Sequence, residues 1–556
     1  MSSSLSPAAA RRLVIACALV VACVAPAAAQ QQAGPNAYRI TYDVGLTRRV
    51  AHLFDVEIKI ERPAGGGEIE FQMPRWSPGR YSIYDFAKNV QDVRATGRCG
   101  PAERCASREY PVRRVDAHTW GVAANDSPEI RLTYRVFADD LSGTFSQLDE
   151  RHANLNGGSV FMYVVGHKQD PVTLRFGAPA GWRVVHGHAM SDGAEREWKF
   201  ANYDLLIDTP VEAGPDWTAD EFRVGGKTYR VVLHAAGGDG GRRGDLARDL
   251  ERLVRAETAM WNGAPDYDAY TFIFHFDPDL QRGDGMEHLN STQIITRRAL
   301  SERGAYDEAV DTAAHEFFHV WNVKRLRPAE LGPWDFTRPV VTRSLWIAEG
   351  VTNYYGHLMQ RRAGLWDDAR LYRELAEQIG VIENAPGSRQ LSAEESSLIA
   401  PFIDRSPAYQ RTNLAQTTVS YYDKGETLGL VLDLLIRART EGRRSLDDVL
   451  RKMYEEFYVR SPAADYYLRG RGYTGADFER AVSEVAGFDF NDFFNRHVRA
   501  PQRPPYEDAL AAAGLRLVKT GPKGAQGRSD YDYRIEEIKD ATAGARRLRE
   551  AWLEGK

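Results

Sequence analysis

Two histidines and a glutamate near the middle of the chain have the spacing of a metal-dependent hydrolase. His315 and His319 stand four residues apart, and Glu316 directly follows the first histidine. On a helix, residues at i and i+4 lie one turn apart on the same face. Both imidazoles could therefore reach one tetrahedral Zn²⁺ at about 2.0–2.1 Å. Glu316 would then be the general base that accepts the proton of a water attacking a peptide carbonyl.

An amphipathic helix with two core histidines is the alternative interpretation of this motif. Phe317, Phe318 and Val320 already supply apolar surface for packing. Two imidazoles and a carboxylate beside them would be costly to bury unless they were paired or liganded. This cost favours the metal site.

A catalytic zinc keeps three protein ligands and one open position. The best candidate for the third ligand is Glu349, which lies in the otherwise apolar stretch 345–352 beyond His319. A glutamate that extends from a buried helix to solvent is the alternative. The sequence thus predicts one Zn²⁺ per chain, held by His315, His319 and Glu349.

The pattern around these residues changes from β to α near residue 233. Alternating apolar and polar residues, as at 56–60 and 130–136, recur between turn residues from about 38 to 229 and predict an all-β, sandwich-like N-terminal domain. A mainly α domain follows. Its predicted elements are helices at 245–261, 308–323, 344–360 and 425–439 and a strand at 270–276.

The first 29 residues predict a signal peptide. Arg11 and Arg12 precede an apolar run at 13–25, and three alanines end at position 29, so that the mature chain would begin at Gln30 and cross the inner membrane to the periplasm. A lipid anchor at Cys23 is the alternative. No later segment is predicted to span a membrane.

Charge and cysteine content limit the class of protein further. A formal net charge of −5 gives no electrostatic footprint for nucleic acid. Cys99 and Cys105 are the two cysteines beyond the predicted signal. Two cysteines in a chain that enters an oxidising compartment predict a disulfide between them.

Longer segments carry a resemblance to a known family. The sequence HEFFHVWNVKRLRP at 315–328, followed by SLWIAEGVTNYY at 344–355, resembles the glycyl aminopeptidases, secreted zinc metallopeptidases related to thermolysin-like aminopeptidases. Segments at 73–81 and 139–153 resemble the N-terminal β-domain of that family. The resemblance extends over about 38–515 and implies a thermolysin-like fold for the α domain.

Further site residues are implied by this resemblance alone. Gly285, Met286 and Glu287 match a substrate-binding strand, in which Glu287 would bind the free α-ammonium of a peptide. Tyr422 would donate a hydrogen bond to the oxyanion, with Tyr421 as the alternative if the register differs by one residue. Without the resemblance, Glu287 would be interpreted as a strand-end residue in a salt bridge and Tyr422 as an interfacial tyrosine.

The expected organisation is a signal peptide at 1–29, a β domain at 30–230, a catalytic domain at 231–500 and a short tail at 501–556. Members of the family often carry a PDZ domain, but no complete one is visible here. A helix is expected within 535–553. Position 288 holds His where the broader aminopeptidase motif has Asn.

The sequence therefore predicts a zinc aminopeptidase that acts on peptides with a small first residue such as Gly or Ala. An endopeptidase of the same fold and a catalytically inactive peptide-binding protein are the alternatives.

Overall fold

The computed structural model describes residues 37–556 except 64–66, 100–105, 126, 192–195, 281, 405–416, 462–470 and 524–529. The predicted signal peptide, the lipid-anchor alternative and the Cys99–Cys105 pairing fall outside the described residues. Among the helices that are described, none is both long enough and apolar enough to cross a lipid bilayer.

Three antiparallel-rich sheets form the N-terminal region. Its apolar residues point inward at every second position, as in Leu53–Glu61, where Phe54, Val56, Ile58 and Ile60 are buried. This alternation lets each strand place one face on a shared core. The strands, in spatial order, are Glu197–Phe200, Val172–Gly177, Arg39–Arg48, Leu53–Glu61, Glu129–Phe137, Val90–Arg98 and Ser107–Tyr110 in the first sheet; Met190–Ser191, Arg183–His186, Val211–Gly214, Ala153–Leu155 and Gln147–Leu148 in the second; and Tyr163–Val164, Ile69–Gln72, Thr119–Val122 and Val112–Arg114 in the third.

A fourth, mixed sheet begins the second region. Its three central strands are parallel and its two edge strands are antiparallel to their neighbours. The expected domain boundary at 230 falls inside one of its strands, and the sheet itself starts at Thr218. Its strands, in spatial order, are Thr218–Val224, Lys227–Ala235, Ala269–Phe276, Ser291–Thr296 and Asp284–Glu287.

Helices make up most of the chain beyond this sheet. The order of a β-rich region followed by a helical region confirms the predicted fold class. Helices of five or more residues in the described chain are Tyr203–Ile207, Arg243–Met260, Ala305–Phe318, Val351–Arg362, Asp368–Asn384, Ala393–Leu398, Tyr421–Arg439, Leu446–Tyr454, Gly475–Ala486, Tyr506–Ala512 and Ala543–Glu554, with π-helical turns at Trp346–Gly350, Glu455–Val459 and Phe494–Val498.

The last fifty residues pack on the helical region, and they differ from the expectation of one helix within 535–553. Leu515–Lys523 and Asp530–Glu537 form a two-stranded hairpin, and the helix covers only Ala543–Glu554. Tyr531, Tyr533 and Ile535 alternate with polar residues, which suits a strand rather than a helix.

The end of the chain is anchored in the core. Trp552 is fully buried and donates a hydrogen bond from Nε1 to the hydroxyl of Tyr354 at 2.8 Å. Tyr354 in turn donates to Asp433 at 2.6 Å. Since Tyr354 lies on the helix that follows Glu349, the tail supports an element of the site.

Replacement of Trp552 with alanine is therefore expected to destabilise the whole helical region. A buried tryptophan truncated to alanine costs about 3–5 kcal/mol, and urea unfolding followed by circular dichroism would measure the loss. Trp552→Phe keeps most of the packing and should cost clearly less. A change below about 1 kcal/mol for the alanine variant would show that the tail is not part of the core.

Candidate metal centre and substrate cleft

The two motif histidines lie at the end of one helix. Ala305–Phe318 carries His315 and Glu316 in its last turn, and His319 caps its C-terminus. The predicted helix at 308–323 thus ends five residues early. The reason is local, because Nδ1 of His319 donates to the backbone carbonyl of Asn322 at 2.6 Å, which turns the chain away from the helix axis.

Glu349 reaches the histidines from a π-helical turn, Trp346–Gly350. Such turns insert an extra residue and are common at functional sites. The turn crosses the N-terminal part of helix Tyr421–Arg439 at very close range. A Cβ at Gly350 would meet Cα of Gly425 at 2.4 Å, so that two glycines make this crossing possible.

The three predicted ligands converge on one point. Nε2 of His315 and Nε2 of His319 are 2.9 Å apart. Oε2 of Glu349 lies 3.4 Å from the first nitrogen and 3.2 Å from the second. Ligands at about 2.0–2.1 Å from a tetrahedral zinc are separated by roughly 3.3 Å. The donor set therefore fits one zinc ion.

Hydrogen bonds and charge fix the state of these ligands. Nδ1 of His319 donates to the carbonyl of Asn322, so Nε2 is the ring nitrogen that faces Glu349. Burial alone would lower the pKa of His319, but Glu349 outweighs burial and raises that pKa to about 9. The side-chain amide of Asn322 donates to the carbonyl of Ile347 at 3.0 Å, which joins the two ligand-bearing segments. Burial lowers the pKa of His315 and favours the neutral imidazole that metal binding needs. Burial raises the pKa of Glu349, but His319 outweighs it and holds that pKa below the usual range.

Tyr81 is a site residue that the sequence did not reveal. It is 3% exposed, and its hydroxyl donates to Oε1 of Glu349. Its backbone N–H donates to Asp404 at 3.0 Å, and the neighbouring Arg80 pairs with Asp284 at 2.5 Å. The nearness of Tyr81 to Glu349 depends entirely on tertiary structure, so that no local signal in the segment 73–81 could reveal it.

Glu316 faces the strand Asp284–Glu287. A Cβ at Gly285 would lie 2.1 Å from Oε1 of Glu316, so only glycine allows this approach. Oε2 of Glu316 is buried and has no hydrogen-bond partner among the described residues. Burial raises the pKa of Glu316 to about 8; Glu287 and Glu349 add to the rise, and His319 opposes it.

Glu287 lies beside these groups without a close ion pair to a lysine or arginine among the described residues. Its carboxylate is within 4.8 Å of the Glu316 carboxylate and of the His319 imidazole. It is 6% exposed, and no lysine, arginine or histidine of the described chain forms an ion pair with it. The described residues therefore do not contain the salt bridge that the alternative interpretation of Glu287 requires. The side chain of Met286 points away from Glu316 and packs against Gly79 and Gly143.

A cleft of about 790 Å³ opens beside these residues, although Glu287, Met286, His319 and Glu349 are not among those that line it. His315, Glu316, Gly285 and both candidate tyrosines, Tyr421 and Tyr422, line it. The ring of Tyr422 lies 6.1 Å from that of His315. Burial raises the pKa of Tyr422, which keeps its hydroxyl a hydrogen-bond donor.

Tyr421 is held differently. It is 1% exposed, and its ring meets that of Tyr81 edge-on at 6.0 Å between centroids. Its ring also stacks on that of Tyr422 at 4.7 Å between centroids, and it is Tyr422 that makes the ring contact with His315.

The chain is a peptidase. Two models of one family match it: the Peptidase M61 N-terminal domain over residues 41–215 and the M61 glycyl aminopeptidase over residues 308–428, together more than half of the chain. The chain belongs to the M61 glycyl aminopeptidase family, which confirms the resemblance found in the sequence. No curated protein matches it.

A solved structure of a similar protein shares its fold. An aminopeptidase N family protein from Idiomarina loihiensis is 26% identical, with a TM-score of 0.77, and the match covers 88% of this chain and 82% of that one. An M1 zinc metallopeptidase from Deinococcus radiodurans bound to a Tyr-Ser-Ala substrate is 15% identical with a TM-score of 0.49, covering 84% and 95% of the two chains.

The hydrogen bond from Tyr81 predicts an effect on metal affinity. Partners that orient a metal ligand are typically worth about 10–100-fold in affinity, so Tyr81→Phe should raise the Zn²⁺ dissociation constant by about that factor. Competition with a chromogenic chelator would measure it. Tyr84→Phe, in the same loop, is the control. Equal affinity of Tyr81→Phe and the unmodified protein would contradict the orienting role.

Proposed function

We propose that this peptidase is a zinc-dependent aminopeptidase. His315, His319 and Glu349 would hold one Zn²⁺ per chain, and Glu316 would be the general base. Small first residues, Gly or Ala, are the proposed preference because of the family to which the chain belongs. The signal peptide predicted for residues 1–29 is the reason for proposing a periplasmic location.

The observation that carries this proposal is the buried carboxylate of Glu287. A carboxylate in this setting is costly unless a cation neutralises it. Since the described protein supplies no ion-pair partner, a cation from the substrate is the natural one. The α-ammonium of a peptide would pair with Glu287 and place the first carbonyl next to the metal ligands. An endopeptidase would have no use for this group.

The surrounding residues have complementary roles in the proposed reaction. When bound, Zn²⁺ would polarise the scissile carbonyl and make water more acidic. Glu316, with Oε2 free of other bonds, would accept the water proton and pass it to the leaving amine. Tyr422, which lines the same cleft, would donate its hydroxyl hydrogen to the developing oxyanion.

The general base is tested by Glu316→Gln. This change keeps shape and hydrogen bonding but removes basicity, so that kcat for Gly- or Ala-initiated peptides should fall by about 10²–10⁴-fold or more while zinc content stays unchanged. Glu308→Gln is a matched control, because Glu308 lies on the same helix and lines the same cleft. A loss below about tenfold would assign the base to another residue.

The aminopeptidase role is tested by Glu287→Ala with paired free and N-acetylated peptides. The unmodified protein should cleave only the free peptides. The variant should show a higher KM, a lower kcat and no preference for the free N-terminus.

Tyr422→Phe is the variant to compare with Glu287→Ala. It should lose roughly 10²–10³ in kcat, with KM and the preference for a free N-terminus retained. If Glu287→Ala handles both peptide sets as the unmodified protein does, the amino-binding role is wrong. Cleavage of acetylated peptides by the unmodified protein would favour the endopeptidase. A complete lack of turnover in zinc-loaded protein would favour the inactive peptide-binding protein.

A further inference from the structure

A second cluster of metal-ligating side chains lies away from the cleft. His152, Glu212, His234 and His275 each offer one ligand atom, and these four atoms are all within 4.8 Å of one another. None of the four residues lines the catalytic cleft. The cluster is thus separate from the site that holds His315 and His319.

Two sheets supply the cluster from opposite sides. His234 and His275 are register partners on the adjacent parallel strands Lys227–Ala235 and Ala269–Phe276. Glu212 lies on Val211–Gly214 in the N-terminal region, opposite Asn154. His152, two residues before Asn154, points to the same face because side chains alternate along a strand. The cluster therefore joins the N-terminal region to the sheet of the catalytic region.

Two distances from Glu212 match the spacing of ligands around a small four-coordinate ion, while Nε2 of His234 lies 3.4 Å from Asp216. Nδ1 of His152 is 3.1 Å from Oε1 of Glu212, and Nε2 of His275 is 3.5 Å from Oε2 of the same residue. Ligands around a tetrahedral zinc are separated by roughly 3.3 Å. His152, Glu212 and His275 are at most 1% exposed, and the side chain of His234 is 14% exposed.

The hydrogen bonds of His152 point to a cation within the cluster. Its Nε2 lies 2.9 Å from Oε1 of Gln147, an acceptor, so this nitrogen carries a proton. In the neutral ring, the lone pair of Nδ1 would then face the carboxylate of Glu212. Nδ1 of His152 and Oε1 of Glu212 would then both be hydrogen-bond acceptors, and at 3.1 Å apart they need a positive charge between them. No lysine or arginine of the described chain pairs with Glu212.

We propose that His152, Glu212, His234 and His275 form a second, structural site for a divalent transition metal, Zn²⁺ by ligand preference. Three imidazoles and one carboxylate complete a tetrahedral shell with no open position, which is the composition of a structural rather than a catalytic site. Bound metal would fasten the N-terminal sheet to the strands Lys227–Ala235 and Ala269–Phe276. The competing occupant of the same space is a proton on Nδ1 of His152.

The experiment uses full-length protein in which the catalytic ligands are removed, His315→Ala with His319→Ala. This variant is dialysed against Zn²⁺ alone and then against metal-free buffer. Elemental analysis should find one zinc per chain, and adding His234→Ala and His275→Ala should remove it. X-ray absorption at the zinc edge of the first variant should show three imidazole nitrogens and one carboxylate oxygen at about 2.0–2.2 Å.

His186→Ala, placed in the same catalytic-ligand background, is the matched control. His186 is equally buried and sits on a strand paired with that of Glu212, but lies outside the cluster. It should leave the zinc content unchanged.

The absorption measurement needs no cluster variant, so it decides the matter even if His234→Ala with His275→Ala fails to fold. Absence of zinc after dialysis, or a shell with fewer than three imidazoles, would show that a proton occupies the cluster. Neither result would bear on the catalytic role of His315 and Glu316.

Discussion

The hydrogen bond between Tyr81 and Glu349 is the contact on which the site geometry depends. It joins a loop of the N-terminal β region to the π-helical turn that carries the third predicted ligand. The same turn is pressed against helix Tyr421–Arg439 by the crossing of Gly350 and Gly425. Glu349 is therefore fixed from two sides by segments distant in sequence. A carboxylate that must lie within about 3.4 Å of two imidazoles has little freedom to rotate.

One consequence is that the N-terminal region is part of the site rather than an attached module. Arg80 and Gly143 both bond to Asp284, at the start of the strand that places Gly285 against Glu316. The side chain of Met286 packs back on the loops of the same region. The strand that would hold a substrate is thus positioned by residues far upstream of the motif helix.

Three buried carboxylates create an imbalance of charge around the site. Glu287, Glu316 and Glu349 are all buried around His319, and three carboxylates so close repel one another unless cations lie between them. Zn²⁺ and a substrate ammonium would together supply three positive charges next to these carboxylates, where His319 is the imidazole that the protein places among them. Burial is the main cause of the raised pKa of Glu316, and the charges of Glu287 and Glu349 add to the rise.

The sequence predicted what depends on local spacing. The i, i+4 histidines identified the motif helix, and Glu349 stood out as a carboxylate in an apolar stretch. The order of β-rich and α-rich regions followed from periodicity. Helix ends were less accurate, because the end after Phe318 depends on a side chain bonding to the carbonyl of Asn322.

Contacts between distant segments could not be predicted in this way. Tyr81 lies 268 positions from Glu349 in the sequence, so that no local pattern could join them. The hairpin near the C-terminus was missed because Tyr531, Tyr533 and Ile535 become a strand only against their partner Leu515–Lys523. His152 and His275 were not paired for the same reason, since only the packing of two sheets brings them together.

The contacts around Tyr81 and the cluster that contains His152 constrain the interface between the N-terminal region and the mixed sheet at different places. Tyr81, Arg80 and Gly143 hold the edge strand Asp284–Glu287 and the turn at Glu349, whereas His152 and Glu212 meet the central strands of the same mixed sheet. A sheet held only at its edge could still rotate about that contact, because a single attachment leaves a hinge. A second attachment at Lys227–Ala235 and Ala269–Phe276 removes that freedom. The distance from Glu287 to the metal ligands, which would decide which peptide bond is cut, is then set by the interface as a whole.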